Sequence, residues 1–251
     1  DWGAFVDHGD LPTGVLRDEA AIFACADRVV CSAPALVQCA RVQGRDDAVL
    51  VLNGGPAKPI EHIGGGPVAV YAGYLFGSWF DWQLLMELEA RGVETVVIGR
   101  YDNVPDWEHI RFVGEKPWAE ALAIMATAQV GIIPFRHDAI CESVDPIKAY
   151  DYWAAGLWTV ATPVLSALEG RPYTVFAEGG GFANAVLHAA ELRDVSAPGE
   201  EFVRLNSWAE RAKVMEEVLE SPPMSRGNDA PVVIPEPLTP EAFAEKAKEI
   251  S

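Results

Sequence analysis

The chain has 251 residues, of which 50% are apolar and 22% charged, and its formal net charge is −18. This composition is typical of one large or two small globular domains. The acidic surplus argues against a nucleic-acid partner, because binding a phosphate backbone requires an excess of Lys and Arg. It still allows one basic pocket for a small phosphate ligand.

Cysteine usage and hydropathy together indicate a cytoplasmic protein. The four cysteines form no Cys-x-x-Cys pair and show no zinc-like spacing with histidine, so reduced thiols are expected. No apolar run reaches the about 20 residues of a membrane-spanning helix. Because the first residue is Asp rather than Met, we expect the chain to be a fragment or a processed protein.

The first part of the chain, residues 1–55, is predicted to be a partial α/β unit. Apolar spacing predicts a helix, a buried strand, a second helix and a second strand, in the order 18–26, 28–34, 35–44 and 48–55. The following "PAKPIEHIGGG", residues 56–66, is rich in Pro and Gly and has no period, which is typical of a linker.

Residues 67–205 show a regular alternation of strands and helices. The strands are rich in Val and Ile and do not alternate between apolar and polar residues, which predicts a parallel sheet buried on both faces, that is, a Rossmann-like doubly wound α/β fold. The predicted strands are 67–75, 93–101, 110–117, 130–135, 157–163 and 173–179, and the predicted helices are 80–92, 118–128, 147–156 and 182–192.

Two further segments follow this domain. Residues 206–221 predict an amphipathic closing helix with Asn206 or Ser207 as its N-cap. Residues 222–251 are rich in proline, and we expect them to form an extended tail without regular core contacts, apart from a possible short helix near its end.

Ligands of such sheets bind beyond the carboxyl ends of the strands. Gly73, after the first strand of the second unit, would let backbone approach a phosphate, but the Gly-x-Gly-x-x-Gly fingerprint of NAD-binding proteins is absent. We interpret Trp79, Phe80 and Trp82, which follow it, as packing residues. Arg100 follows the next strand and is placed either to contact a pyrophosphate or to lie in solvent.

The segment "IIPFRHDAICESVDPIKAYDY" carries the most specific pattern. It runs from a strand into a helix start, where an anion is favoured by free N–H groups and the helix dipole. Lys148 and Asp151 are three residues apart and are predicted to share one face of the first turn. The lysine could neutralise a diphosphate and the carboxylate could bind a ribose diol. The alternative interpretation is a surface ion pair at the helix start.

Several segments resemble GT-B glycosyltransferases of the family-4-like group. "DPIKAYDYWAAGLWTVAT", residues 145–162, is similar to the family signature P-x-K-x-x-E-Y-x-A-x-G-x-P-V-V. Four further segments follow in the same order as in the family. The end of the N-terminal domain is resembled by "ADRVVCSAPALVQ" and the interdomain turn by "VLNGG". The first strand and loop of the C-terminal domain are resembled by "VAVYAGYLFGSWFDWQLL" and the closing helix by "NSWAERA". The resemblance covers about residues 20–220.

The resemblance implies the donor-binding half of a sugar transferase. Residues 1–55 would be the remnant of the N-terminal domain, and 67–205 the domain that binds a nucleotide-diphosphate-sugar donor. It implies transfer with retention, in polysaccharide or glycoconjugate synthesis, without a metal or other cofactor. The acceptor is not specified, and the missing N-terminal part could associate with a membrane surface.

The resemblance also assigns residues. Asp151 holds the place of the family's ribose-binding glutamate, and Ser143 that of a glutamate that contacts the donor sugar, with Glu142 beside it as the possible catalytic residue. Lys148, Arg136 and Arg100 are the cations available for the diphosphate. The predicted nucleotide-sugar-binding set is Gly73, Tyr74, Arg100, Arg136, Ser143, Asp145, Ile147, Lys148 and Asp151. The alternative function is a non-catalytic module that binds a nucleotide or a partner protein, because Asp151 and Ser143 depart from the family pattern.

Overall fold

The computed structural model describes residues 14–75 and 79–222. The N-terminal unit is a small parallel two-stranded sheet with two helices, α1 (Val15–Cys25), β1 (Val30–Cys31), α2 (Pro34–Val42) and β2 (Val49–Leu50). The two strands pair with Val30 opposite Val49, and a separate small core lies between sheet and helices. This agrees with a partial α/β unit.

The second strand is shorter than the predicted 48–55. The chain leaves the sheet after Leu50 and forms a buried turn at Gly54 and Gly55. The backbone of Gly55 instead bonds to the C-terminal part of the chain, since its N–H donates to the Asn206 carbonyl at 3.0 Å and its carbonyl accepts from the Trp208 N–H at 3.0 Å. These tertiary hydrogen bonds replace the predicted strand.

The main sheet has six parallel strands, as the buried Val and Ile runs predict. Their order is β5-β4-β3-β6-β7-β8, so the direction of winding reverses between β3 and β6. The strands are β3 (Ala69–Ala72), β4 (Thr95–Ile98), β5 (Ile110–Phe112), β6 (Val130–Ile133), β7 (Trp158–Ala161) and β8 (Thr174–Phe176). A reversal of this kind opens a crevice at the carboxyl ends of the two strands that flank it.

Helices flank the sheet and complete the doubly wound fold. They are α3 (Trp82–Ala90), α4 (Trp118–Met125), α5 (Ala139–Glu142), α6 (Ile147–Ala154), α7 (Phe182–Val195), α8 (Glu200–Leu205) and α9 (Trp208–Glu220). Helix α3 begins where the Asp81 carboxylate accepts a hydrogen bond from the Gln83 N–H at 2.9 Å, and the chain turns away at Gly92, whose φ is +66°.

Two short helices were not predicted. Helix α5 lies inside the predicted loop after β6 and starts where the Asp138 carboxylate accepts from the Ile140 N–H at 2.8 Å. Helix α8 follows Gly199 and has six residues. Both are too short to show a helical period in the sequence.

Helix α9 connects the end of the described chain to its beginning. It is capped by Ser207, one of the two predicted N-caps, whose Oγ accepts from the Glu210 N–H at 3.4 Å. Near its other end, the Arg28 guanidinium donates to the Val218 carbonyl at 3.1 Å. Apart from residue 222, the predicted tail lies outside the residues that the structure describes. No helix in the described ranges is long and apolar enough to cross a membrane.

Candidate functional site

A cavity of about 600 Å³ opens at the winding reversal, beyond the carboxyl ends of β3 and β6. Five parts of the chain form its walls: the segments that follow β3, β4, β5 and β6, and the start of α6. The predicted residues that line it are Gly73, Tyr74, Asp145, Ile147, Lys148 and Asp151. The position follows from topology, because the carboxyl ends of diverging parallel strands leave a crevice that side chains do not fill.

Glycines allow the loops after β3 and β4 to approach one another and α6. Gly73 has a φ of +148°, and a Cβ built on it would lie 3.1 Å from Lys148 Cε and 3.3 Å from its Nζ. Gly99 has a φ of +143°, and its Cβ would lie 1.9 Å from the Gly73 carbonyl oxygen. Any larger residue at either position would displace the cavity wall.

Lys148 is a half-buried cation with aromatic neighbours. Its Nζ lies 4.7 Å from the Phe135 ring centroid and 5.2 Å from that of Tyr71, and it forms no ion pair with any described residue. Burial lowers the pKa of Lys148 to about 8, against a smaller opposing effect of Cys141. Burial therefore disfavours the charged form of Lys148, and an anion in the cavity would stabilise that form.

Asp151 lies deeper in α6 than predicted. It is the fifth residue of the helix and Lys148 the second, so the carboxylate belongs to the second turn and is half-buried. Burial raises the pKa of Asp151 to about 6, and a hydrogen bond from the Trp118 side chain opposes this. Lys148 and Asp151 line one cavity without forming the surface ion pair that was the alternative interpretation.

The Asp145 carboxylate is occupied by protein donors. It accepts hydrogen bonds from the Asn53 N–H at 2.6 Å and from the Tyr150 hydroxyl at 2.9 Å, while the Asn53 side-chain amide donates to the Asp145 carbonyl at 2.8 Å. Burial raises the pKa of Asp145, and these hydrogen bonds oppose the rise. Asp145 thus joins the segment after β2 to the start of α6, and it also lines the cavity. Its role in nucleotide-sugar binding stays a prediction.

We expect Asp145→Ala to destabilise the fold. The substitution leaves the Asn53 N–H and the Tyr150 hydroxyl without their acceptor, and each buried orphan costs about 1–3 kcal/mol. The free energy of unfolding in urea should fall by about 2–4 kcal/mol. Asp46→Ala, at an exposed acidic position, should change it by less than about 0.5 kcal/mol. Equal effects of the two variants would refute the structural role of Asp145.

No protein-family model and no curated protein matches the sequence significantly. Solved structures do match the fold. Alr3699/HepE of Anabaena, solved with UDP-glucose, gives a TM-score of 0.62 at 13% identity over 84% of this chain and 69% of its own. AviGT4, a glycosyltransferase involved in avilamycin A biosynthesis, gives 0.55 at 15% identity over 75% of this chain and 61% of its own. TarM gives 0.59 at 10% identity over 81% of this chain and 46% of its own.

The chain has a GT-B glycosyltransferase fold. The fold class predicted from the sequence is therefore confirmed. The chain spans 61% of the length of AviGT4 and 46% of that of TarM. The six-stranded sheet carries the cavity, and the hydrogen bond from the Asn53 N–H to the Asp145 carboxylate links the segment after β2 to the start of α6.

Four of the predicted site residues do not line the cavity of this GT-B chain. Arg100, Arg136 and Glu142 are exposed, and Ser143 is half-buried outside the lining. Arg136 lines a separate pocket of about 660 Å³, next to the contact between the His137 ring and the Glu178 carboxylate. The sequence predicts that Arg100 and Arg136 follow the ends of strands. It does not show which pocket each of these side chains lines.

Other cavity residues were not predicted. Glu115, Lys116 and Trp118 follow β5 and lead into α4, and Cys141 lies in α5. The rule that parallel strands share one carboxyl edge could have identified the "EKPW" segment, because it follows a strand as the chosen loops do. Of the three aromatic residues after Gly73, Phe80 is fully buried against Tyr71, in agreement with packing, whereas Trp79 lines the cavity.

The described residues contain no group of three His, Cys, Asp or Glu side chains arranged to hold a metal ion. The available ligand-binding groups in the cavity are the ammonium groups of Lys116 and Lys148, carboxylates, aromatic rings and backbone N–H groups. Such a set suits an anionic, partly apolar organic ligand.

Proposed function

We propose that the cavity binds the diphosphate of a nucleotide-sugar donor and that the chain is the donor-binding part of a glycosyltransferase. The observation that carries this proposal is Lys148, a half-buried lysine whose ammonium group lies in the cavity at the winding reversal of a GT-B fold and has no described ion-pair partner. An anion placed there would regain the electrostatic stabilisation that burial removes from the lysine. The complex of Alr3699/HepE with UDP-glucose supports the ligand class.

Helix α6 supplies the second part of the anion site. Its first turn faces the cavity through Ile147 and Lys148, and the N–H groups at a helix start together with the helix dipole favour negative charge. The absence of a side chain at Gly73 lets a phosphate approach the backbone of the opposite wall. In a transfer reaction these groups would stabilise the departing nucleoside diphosphate.

The reaction in this proposal is transfer of the sugar with retention at the anomeric carbon, in polysaccharide or glycoconjugate synthesis. The donor is the substrate, and no metal or cofactor is required. The acceptor would be held by residues outside the six-stranded sheet, facing the open side of the cavity. Family resemblance, rather than a residue in the cavity, supports the stereochemistry.

A non-catalytic nucleotide-binding module is the second candidate. Ser143 replaces a family glutamate, and the neighbouring Glu142 is exposed outside the cavity, so neither places a carboxylate beside Lys148. Incubation with UDP- and GDP-sugars, followed by measurement of the released nucleoside diphosphate, separates the two. Release above the level of a Lys148→Met variant supports the transferase, and binding without release supports the module.

We expect Asp151→Ala to weaken nucleotide binding about tenfold, because a hydrogen bond to a charged group contributes about 1.5–3 kcal/mol. Titration calorimetry with uridine, UDP and UDP-glucose, and with the guanosine series, measures the loss. It should be similar for nucleoside and diphosphate if Asp151 binds the ribose. Asp102→Ala, an exposed acidic position outside the cavity, is the control.

The wild type and Asp151→Ala also test how nucleoside affinity depends on pH. A protonated carboxyl is a poorer acceptor, and the pKa of Asp151 is about 6, so wild-type affinity for the nucleoside should fall as the pH drops through 6. Asp151→Ala should lack that fall. If Asp151→Ala binds every ligand like the wild type, the ribose assignment is wrong. If the wild type binds none, the function itself is wrong.

A further inference from the structure

The strand pair at the winding reversal is shorter than its neighbours. Strand β3 pairs with β4 at four positions and β6 pairs with β7 at four, but β3 and β6 pair only at Ala69 with Val130 and Val70 with Gly131. The two strands therefore separate in their second half. The cavity begins there, since Ala72 and Gly73 belong to its lining.

A buried hydroxyl lies between the separated strands. The Ala72 N–H donates to the Tyr152 hydroxyl oxygen at 3.0 Å, and the hydroxyl donates to the Ile132 carbonyl at 3.3 Å. Tyr152 belongs to α6 and has no exposed surface. Its hydroxyl satisfies one backbone donor of β3 and one backbone acceptor of β6.

These two backbone groups are the ones that a longer ladder would join directly. In the observed register the Val130 N–H donates to the Val68 carbonyl at 3.0 Å. If the same parallel pattern continued along both strands, the Ala72 N–H would donate to the Ile132 carbonyl. The Tyr152 hydroxyl lies between these two groups, so two hydrogen bonds through its oxygen replace the single direct one.

The sequence of β6 accommodates the tyrosine. A Cβ built on Gly131 would lie 2.0 Å from Tyr152 Cδ2 and 2.2 Å from Cγ, so the ring lies directly on the strand only because position 131 lacks a side chain. The two residues come from different elements and form one device. Tyr152 also lies one helical turn after Lys148 on α6, so the two side chains share one face of that helix.

We propose that the Tyr152 hydroxyl is a spacer that holds β3 and β6 apart and thereby positions Gly73 and Lys148 for the diphosphate. Tyr152 acts through these groups and does not contact the ligand. The ligand part of this inference rests on the proposed function, whereas the separation of the strands does not.

The test is Tyr152→Phe, which keeps the ring and removes only the hydroxyl. Affinity for UDP and GDP, measured by calorimetry on the full chain, should fall about tenfold, because the anion site depends on sub-ångström placement of its groups. A crystal structure of the variant should show the Ala72 nitrogen within about 3 Å of the Ile132 oxygen, a direct ladder bond. Unchanged diphosphate affinity would overturn the positioning role.

Tyr150→Phe is the matched control. It removes another buried hydroxyl from the same helix, one that donates to Asp145 rather than to the strand pair. It should lower the urea midpoint to a similar extent and leave the spacing of β3 and β6 unchanged. If the wild type binds neither diphosphate, the proposed function fails, and the crystal structures alone decide on the spacer. Strands equally far apart in Tyr152→Phe and wild type would overturn it.

Discussion

Lys148→Met is expected to lower the affinity for a nucleoside diphosphate by about tenfold to a hundredfold, the effect of losing one charge-assisted hydrogen bond of about 1.5–3 kcal/mol. The unliganded protein should be as stable as the wild type or more stable. Methionine keeps an unbranched side chain between the Tyr71 and Phe135 rings and removes a charge that has lost its hydration. A purely structural lysine would give the opposite result for stability.

The competing effects at Lys148 can be weighed. Cation–π contacts stabilise the ammonium by about 0.5–2 kcal/mol, whereas burial of an ion costs several. Burial lowers the pKa of Lys148 to about 8, so the charged form of the lysine is disfavoured in the folded protein. The pKa of Lys148 in the folded protein, about 8, lies below the ordinary 10.5. The stability that the folded protein gains by holding this lysine neutral is therefore fully present above pH 10.5 and is lost as the pH falls through 8.

The pH dependence supplies a specific signature. The stability advantage of Lys148→Met should be largest below pH 8 and should shrink as the pH rises towards 10.5. Lys213→Met, which removes an exposed lysine paired with Glu210, should change stability by less than about 1 kcal/mol and leave diphosphate affinity unchanged. Wild-type affinity in Lys148→Met, or a strong loss of stability at pH 7, would contradict the assignment.

Gly99→Ala is expected to lower the free energy of unfolding by about 3 kcal/mol or more. Overpacking costs about 1–3 kcal/mol, and a left-handed backbone adds about 1–2 for a residue with a side chain. At φ +143° the new methyl group would lie 1.9 Å from the Gly73 carbonyl oxygen and 2.7 Å from its carbon. Backbone atoms cannot move aside as a flexible side chain could, so the loop after β3 must shift.

Gly114→Ala separates the cost of a positive φ from the cost of a steric clash. Gly114 also has a positive φ, +73°, but no atom lies within 4 Å of a Cβ built there. Its cost should therefore be only the conformational one, about 1 kcal/mol. Urea unfolding of both variants measures the difference. If Gly99→Ala costs no more than Gly114→Ala, the close approach of the two loops is not a constraint on the fold.

Much of the fold follows from local sequence. The buried runs "VVI" and "VGII" predict central parallel strands because they lack polar alternation, and the structure has them as β4 and β6. Strand ends were predicted too long, as for 93–101 against Thr95–Ile98, because apolar residues continue into loops that also pack. The strand predicted at 48–55 is only Val49–Leu50, and Gly55 instead forms hydrogen bonds with residues 206 and 208, which local sequence does not show.

The candidate site was predicted only in part, for the same reason. Lys148 and Asp151 were found because spacing on one helix is a local property. The roles of Asp145 and Tyr152 depend on partners 92 and 80 residues away, Asn53 and Ala72. In the sequence, Asp145, Lys148 and Asp151 look alike as polar residues around a helix start. All three line the cavity, and only the tertiary structure shows that the Asp145 carboxylate is occupied by donors from the protein.

Proton uptake on binding tests the central claim most directly. At pH 8.5 part of Lys148 is neutral, because its pKa is about 8, whereas a diphosphate is fully ionised. Calorimetry of UDP and GDP binding at that pH, in two buffers of different ionisation enthalpy, should show net proton uptake by the wild type, since the anion raises the pKa of the lysine it pairs with. Lys148→Met should bind more weakly and take up no proton. Failure of the wild type to bind either diphosphate, or equal proton uptake in the variant, would contradict a diphosphate site at Lys148.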